Sequence, residues 1–410
     1  MKKISILVLS NYMICPPISG GVKRMLAPSI YMKPSDNIEF TYMYLTYTKE
    51  EIEKNNNYLL NIVNVVDVEG VLTSKEMQFD WTSLPLNFPQ QVWFTMNKDF
   101  VNRLKERLKH NFYNIVQVEH PQFAWLVPYI RIASPNSKVI MDCQNLEWLV
   151  FKRWIPYENN VQIKNTLIKD YCSLKNWEEE VLNWFDGIFC ISPIEKEILQ
   201  NLTDVSLYYV PTGAGINDDD YYPKDSAKSK PYDMIFIGSM NWFPNSQALK
   251  WFLEEVMPIV VKKKPSTKLE IIGSSNPDKG MLELINKYPA VTFWGEIEDE
   301  IPFLHGSKIF ISPIWIGAGV RLKNPTAWAA KIPLVATTLS VEGLEYTPGK
   351  DLLIGDSPEE FANNIISILD NPALGEKLAE NAYITYKEKY GVDRLMDIWK
   401  QAYNDILNLQ

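Results

Sequence analysis

Short apolar runs recur along this chain, and each is followed by a polar turn and a helical pattern. Ile4 to Leu9 is the first, an expected β-strand rather than a leader segment despite the preceding Met1-Lys2-Lys3. Phe40 to Leu45, Ile62 to Val68, Ile115 to Val118, Val139 to Glu147 and Gly187 to Ser192 continue the series. A second series runs through Met234 to Met240, Lys268 to Gly273, Val291 to Glu296, Ile309 to Ile311 and Leu334 to Ala336. Between the runs the period changes to that of a helix. Asp99 to Asn111 places Phe100, Leu104 and Leu108 on one stripe, and Asp170 to Trp184, Pro193 to Leu202, Ser246 to Met257 and Asp393 to Leu407 read the same way. Strands alternating with helices predict βαβ units and parallel sheets. No internal repeat or low-complexity segment interrupts them.

The totals narrow the picture. A chain of 410 residues exceeds one ordinary core and suits two α/β domains. The acidic, polar tract from Asn217 to Lys230 reads as the linker between them. Net charge is −9, which argues against a nucleic-acid binder. Residues 1–205 hold 21 Lys and Arg against 23 Asp and Glu, so most of the negative charge falls in the remainder. The four cysteines (Cys15, Cys143, Cys172, Cys190) are scattered and form no CxxC, as expected of reduced thiols in a cytoplasm. His110, His120 and His305 are too dispersed for a zinc cluster, and three consecutive side chains, Asp218 to Asp220, converge poorly on one ion. No uninterrupted apolar stretch is long enough to span a bilayer. Two stretches leave a membrane contact open. One is the aromatic run around Phe79, Trp81, Trp93 and Phe94, which reads equally as a packed irregular segment. The other is the Asp99 helix with Arg103, Lys105, Arg107 and Lys109, cations that suit water at least as well.

The most informative stretch is Ile309 to Leu344. Asn324-Pro325 is a helix-start signal after Gly317-Ala318-Gly319-Val320-Arg321-Leu322-Lys323. Glycines admit close backbone approach, and a helix start offers unsatisfied N–H groups to an anion. With Arg321 and Lys323 on one face of an extended segment, the alternatives are a phosphate or diphosphate site and a solvated basic loop. No Walker motif or GxGxxG is present.

This stretch resembles the group 1 glycosyltransferases, family 4-like in type, whose pattern here is Gly-x-Gly-x-Arg-Leu-Lys followed by a Pro-Val-Val strand and Glu-Gly-Leu. The matches are Gly317 to Lys323 and Pro333 to Leu344. The resemblance implies the GT-B fold, α/β with two Rossmann-like doubly wound parallel-sheet domains facing a central cleft. Residues 1–205 would form the acceptor-side domain, 206–392 the nucleotide-sugar domain, and 393–410 a helix packing back on the first. It also implies a metal-independent, hexosyltransferase-like enzyme that is retaining. Such an enzyme moves sugar from a UDP-, GDP- or dTDP-linked donor to a hydroxyl of a glycan, glycolipid or protein in surface polysaccharide or glycoconjugate synthesis, in the cytoplasm or at the inner membrane face. No cofactor beyond the donor is implied.

Carried over residue by residue, Arg321 and Lys323 would stabilise the departing diphosphate. Gly317, Gly319 and Val320, with Gly238, Ser239 and Asn241 from a Phe-x-Gly-Ser-Met turn, would approach the donor phosphates. Trp294 and Gly295 would face the base. Thr326 or Glu342 would meet the ribose. Gly20 and Gly21, after the first strand, would lie against diphosphate or acceptor. An anion there would also relieve Lys23 and Arg24, which sit unfavourably in a first helical turn; an ordinary βα turn is the alternative. Gln144 stands where the family has histidine, so it can hydrogen-bond but not titrate, and His120 is a polar partner at a neighbouring strand end, alongside Asn145 and Glu147. The family's glutamates fall on Ala318 and Thr326 and its helix glycine on Lys331. These departures leave room for a non-catalytic GT-B partner subunit, and more remotely for a GT-B epimerase.

Overall fold

A computed structural model describes residues 3–12, 14, 17, 19–73, 88–215, 221–222 and 230–409. The aromatic segment up to residue 87, most of the linker with Asp218 to Asp220, and Cys15 lie outside the described residues. The chain divides into two compact units: Met1–Pro211 with Leu395–Gln410, and Thr212–Arg394.

The first unit is a seven-stranded sheet of β1 (Ile4–Ser10), β2 (Ile38–Thr46), β3 (Val65–Leu72), β4 (Ile115–Glu119), β5 (Lys138–Cys143), β6 (Gly187–Cys190) and β7 (Ser206–Tyr209). Their order is β3-β2-β1-β4-β5-β6-β7, and the paired strands are parallel. The second unit holds β8 (Tyr232–Ile237), β9 (Leu269–Ile272), β10 (Val291–Gly295), β11 (Ser307–Ser312), β12 (Leu334–Ala336) and β13 (Leu353–Ile354). They are ordered β10-β9-β8-β11-β12-β13, again parallel. The continuous apolar runs follow from this arrangement: strands such as β1 and β11 are buried along most of their length, because helices cover both faces of a parallel sheet. Strand order reverses between β1 and β4 in the first unit and between β8 and β11 in the second. Just beyond the carboxyl ends of those pairs, open α/β sheets keep their ligand crevices.

The helix Val392–Asn408 buries Leu395, Met396, Trp399, Ala402, Tyr403 and Ile406, one stripe of an amphipathic helix. Trp399 and Tyr403 pack against Phe189 of β6, at 5.4 and 5.6 Å between ring centres. Phe100, Leu104 and Leu108 are buried on the helix Lys98–His110. Its cations are answered locally: Arg103 and Arg107 pair with Glu69 and Asp67 of β3, and Lys105 lies over the Tyr129 ring.

Several local expectations are corrected by tertiary context. The helix carrying Lys23 and Arg24 begins at Gly20, where the Ser19 hydroxyl accepts the Val22 N–H and caps it, so Arg24 lies beyond its first turn. The strand expected to run to Glu147 ends at Cys143, and Glu147 opens the next helix. Asn324 is no cap. The helix starts two residues earlier than that cap implies, at Lys323, and the buried Asn324 amide donates to the Ser340 carbonyl.

Lys331 follows that helix at φ 52, a left-handed conformation usual for glycine and costly for a side chain. Its ammonium offsets the strain by pairing with Glu380 and lying over the rings of Tyr222 and Tyr383. Lys331→Ala keeps the strain and loses those contacts, whereas Lys331→Gly removes both. Glycine should therefore be the more stable of the two by about 1 kcal/mol in urea unfolding; equal stabilities would mean that the backbone here carries no strain.

Candidate functional site

The reversal of strand order in the first unit carries a buried polar cluster. Arg24, four residues into the Gly20 helix, is almost fully buried, and its partner is protein rather than ligand. Nη2 and Nε donate to the two Asp142 oxygens at 2.6 and 2.9 Å, and Nη1 to the Val210 carbonyl at 2.7 Å. This corrects the expectation of an anion relieving the first turn: a carboxylate from β5 does so. Burial pushes the Asp142 carboxyl up and Arg24 opposes it.

Beside that pair, Glu119 ends β4 fully buried. It accepts from Gln117 at 2.6 Å and Gln144 at 2.7 Å, and Tyr403 of the C-terminal helix donates to Gln117 at 2.8 Å. Burial, reinforced by the nearby Asp142 charge, pushes the Glu119 carboxyl up to about 8, so near neutral pH it is largely protonated. His120 follows at φ 66, a strained conformation of the kind that gathers at functional sites. Burial and the Arg24 charge depress its imidazole to about 4, leaving it neutral. Its Nε2 lies 3.1 Å from the Tyr12 hydroxyl, while Nδ1 is buried with no hydrogen-bond partner among the described residues. Gly21 lies close to two polar side-chain tips. A methyl there would stand 2.4 Å from Gln144 Oε1 and 2.9 Å from the Tyr12 hydroxyl. Tyr12, Gly21, His120 and Gln144 thus converge where β1 and β4 end, and Gly20 precedes them in the helix. Asn145 and Glu147 instead pair with each other at 2.9 Å.

At the corresponding reversal in the second unit, Lys323 Nζ donates to Asn245 Oδ1 at 2.9 Å, and Asn245 Nδ2 donates to the Ser239 carbonyl at 3.1 Å. A residue following β11 is thereby tied to the Gly238-Ser239 turn that ends β8. Ser239 Oγ lies 2.6 Å from Asn241 Oδ1 and 2.7 Å from Ser274 Oγ. Lys323 also sits over the Phe236 ring at 4.9 Å. Burial, together with the adjacent Arg321 charge, lowers its ammonium to about 7. Arg321 Nη1 donates to the Gly319 carbonyl at 2.8 Å. Gly317 and Gly319 have φ of 149 and 69, conformations that side chains resist. The outcome is two cations beside a glycine-shaped turn.

Other expected residues lie apart from this turn or are otherwise engaged. Thr326 is buried, and its hydroxyl donates to the Leu322 carbonyl at 2.9 Å, which corrects its expected place at a ribose. Glu342 gives Arg321 a backbone carbonyl at 3.4 Å. Val320 packs against the apolar cluster around Trp328. Trp294 is half exposed and donates to Glu270 at 2.6 Å, next to Gly295 at φ 73. Sequence reasoning missed Asp142, Glu119, Tyr12, Asn245 and Gly273, and gave Arg24 the wrong partner. A methyl on Gly273 would stand 1.9 Å from the Gly238 carbonyl. Asn245 had a signal in the Pro244-Asn245 pair; the others had none, being partners distant in sequence. Among the described residues no group of three or more His, Cys, Asp or Glu is placed to hold a metal ion.

Comparison with known proteins gives three findings. Residues 231–371 match the family model described as Glycosyl transferases group 1. A Klebsiella pneumoniae protein described as "Uncharacterized 44.6 kDa protein in cps region" is 25% identical over 297 residues, covering 70% of this chain and 74% of that one. A Haemophilus influenzae "Uncharacterized glycosyltransferase" is 23% identical over 155 residues, 36% of this chain and 43% of its own. Among solved structures, sucrose-phosphate synthase from Thermosynechococcus elongatus superposes with a TM-score of 0.72 at 15% identity, covering 98% of this chain and 99% of that one. Anabaena HepE, solved with UDP and glucose, gives 0.68 at 12% identity over 98% and 100%. At such identities the likeness carries the fold.

Two expectations test the buried cluster. Arg24→Ala leaves the Asp142 carboxylate buried without its counter-ion and should cost about 3–5 kcal/mol, whereas Arg24→Leu with Asp142→Leu should recover most of it. If the double substitution is as damaging as the single one, the pair's charge is not what the first unit requires. The second concerns pH. A carboxyl that binds its proton more tightly when folded lends stability that is present below about 4.5 and drains away as pH rises toward about 8. The parent should lose stability over that window relative to Glu119→Gln, which does not titrate; parallel pH curves would refute a protonated Glu119.

Proposed function

Because this chain has the GT-B fold and carries a group 1 glycosyltransferase domain over residues 231–371, we propose that it transfers a sugar from a nucleotide diphosphate donor to an acceptor hydroxyl. The observation that carries the proposal is the Lys323–Asn245–Ser239 tie at the β8–β11 reversal, with Arg321 and the glycine-shaped turn beside it. Negative charge grows on the leaving diphosphate as the sugar departs. Two fixed cations in a half-buried setting stabilise that developing charge more than they stabilise the neutral sugar.

Lys323 has a specific part. Half-neutral near pH 7 when nothing is bound, it would take up a proton as an anion enters, since a diphosphate favours the charged ammonium. Asn245 holds the amine by its side-chain oxygen, so the lone pair or the proton is delivered at a defined place. In the first unit, neutral His120 and Gln144 are suited to hydrogen-bond sugar hydroxyls rather than to exchange protons with them. Glu119 is sequestered behind Gln144. A uridine, guanosine or thymidine diphosphate donor is consistent with the turn's chemistry, and a polysaccharide acceptor is part of the same proposal, with the Klebsiella relative described as lying in a cps region. Retention of configuration, and action without a divalent metal, belong to the same proposal.

A donor panel tests it. With its best-binding nucleotide sugar and no acceptor, the protein should slowly release free sugar through attack by water. If nothing is hydrolysed, and no label passes to cell extracts or lipid fractions, the non-catalytic partner-subunit reading replaces this one; it draws on Gln144 locked to Glu119 and Thr326 turned to its own helix.

Arg321→Ala should weaken nucleoside diphosphate binding by about 1.5–3 kcal/mol, the scale of a charge-assisted hydrogen bond, as read by calorimetry. Unchanged affinity for UDP, GDP and dTDP would remove the turn from donor binding. The same calorimetry in buffers of different ionisation heat should show proton uptake at pH 7, with affinity falling as pH rises through that value. Lys323→Met should abolish both; uptake that persists in it would place the titrating group elsewhere.

A further inference from the structure

A line of polar side chains in the first unit is joined end to end. The Tyr403 hydroxyl donates to Gln117 Oε1 at 2.8 Å, Gln117 Nε2 donates to Glu119 Oε1 at 2.6 Å, and Gln144 Nε2 donates to Glu119 Oε2 at 2.7 Å. Gln144 is hydrogen-bonded in turn to the Tyr12 hydroxyl, which lies 3.1 Å from His120 Nε2. Among the described residues the chain stops there, at an imidazole whose Nδ1 is buried without a partner. Every link needs one donor and one acceptor, so the direction of one bond constrains the next.

One end is fixed. Tyr403 and Gln117 are both buried, and among the described residues Gln117 Oε1 is what receives the Tyr403 hydrogen. Turning the Gln117 amide over would strand that hydrogen in the core, so Gln117 offers N–H to Glu119 in either state of the acid. Two N–H donors, one on each oxygen, suit an ionised Glu119. A neutral Glu119 carries hydrogen on Oε2 and needs an acceptor facing it. Gln144 can supply one, since the two ends of an amide are alike in size and its side chain turns over without repacking. Gln144 then gives N–H to Tyr12, Tyr12 gives its hydrogen to His120 Nε2, and the imidazole hydrogen sits on Nδ1. With Glu119 ionised the bonds beyond it reverse: Tyr12 donates to Gln144 Oε1, His120 Nε2 bears the hydrogen, and Nδ1 is bare.

We propose that Glu119 is a positioning residue for His120: the proton it carries or lacks fixes the direction of the chain through Gln144 and Tyr12, and with it the ring nitrogen of His120 that bears hydrogen. The other charged and titratable groups around Glu119 hold one state while it changes. Arg24 of the Gly20 helix and Asp142 of β5 are committed to each other at 2.6 Å. Burial pushes Tyr12, Tyr42 of β2 and Tyr403 up, so they stay neutral, and it keeps His120 neutral down to about 4. Glu119, pushed up to about 8, is the group that switches. The consequence for substrate rests on the sugar-transfer reading. A ligand oxygen at Nδ1 meets an N–H donor while Glu119 is neutral and a lone pair once it ionises. An oxygen that only accepts, such as a carbonyl or carboxylate, is held in the first state and repelled in the second.

Nitrogen-15 NMR of the full chain labelled at histidine is the test, because a ring nitrogen that bears hydrogen and a bare one resonate far apart. The signals of His110 and His305 are recognised by their loss in His110→Gln and His305→Gln, so the parent cluster itself is measured unaltered. As pH rises through about 8, the His120 hydrogen should pass from Nδ1 to Nε2. The side chain introduced by Glu119→Gln accepts from Gln117 and donates to Gln144 as the neutral acid does, so that variant should keep the hydrogen on Nδ1 at every pH. Tyr12→Phe cuts the chain and should likewise make the tautomer indifferent to pH. A parent whose His120 tautomer does not change across this range overturns the proposal. So does an exchange that persists in Glu119→Gln or in Tyr12→Phe. A second readout bears on function: kcat/KM of the parent relative to Glu119→Gln should fall roughly three- to tenfold between about pH 7 and about pH 9, the worth of one hydrogen bond. Lys323 is common to both proteins and cancels in that ratio. Exchange of the tautomer in a protein that transfers no sugar would retire the sugar-transfer reading and leave the chain through Glu119 standing.

Discussion

A guanidinium sealed from water must find its counter-charge inside the protein, and in the first unit that requirement joins four separate pieces of chain. Arg24 reaches Asp142 on β5 and the Val210 carbonyl just past β7, while the Trp399 ring of the C-terminal helix lies 5.1 Å from it. A buried ion pair of this kind adds little net stability over an apolar substitute, but breaking it is expensive. Its value is geometric. Once the Gly20 helix is held at β5, the turn after β1 must pass close to the end of β4, and Tyr12, Gly21, His120 and Gln144 come together there. Burial, and after it the charge of the pair's negative partner, push the Glu119 carboxyl up.

The second unit solves a related problem by different means. Its candidate site gathers two basic side chains beside a glycine-shaped turn. Lys323 is tied to a neutral amide and laid on an aromatic face, and its charge is weakened by burial and by Arg321. A lysine tied to a neutral amide and weakened by burial is poor for stability and good for binding an anion, because the ligand supplies the opposite charge. The two units therefore present different chemistry at equivalent topological positions. One has its charge internally balanced and offers neutral hydrogen-bonding groups; the other offers cations.

The α/β class, the two parallel sheets and the glycine-bordered Arg321–Lys323 turn were legible in the sequence, because each depends on local composition. A run of apolar residues is buried in a parallel sheet whatever its neighbours are, and glycine tolerates φ 69 wherever it stands. The buried stripe of the C-terminal helix was legible for the same reason. What only the tertiary structure decided is the ionisation and partnership of the polar groups. Arg24 and Asp142 are 118 residues apart, and nothing at either position announces the other. Glu119 has no local signal of its burial, since its environment is assembled from Gln144 after β5 and, through Gln117, from Tyr403 near the end of the chain. Asn324 carried the right residue type for a cap, yet packing turned its side chain to Ser340, and the Thr326 hydroxyl bonds the Leu322 carbonyl of its own helix. Local pattern dictates which backbone segments pair and which are covered. The charge a side chain carries, and the atom it bonds, depend on solvent access and on groups that folding alone brings within 3 Å.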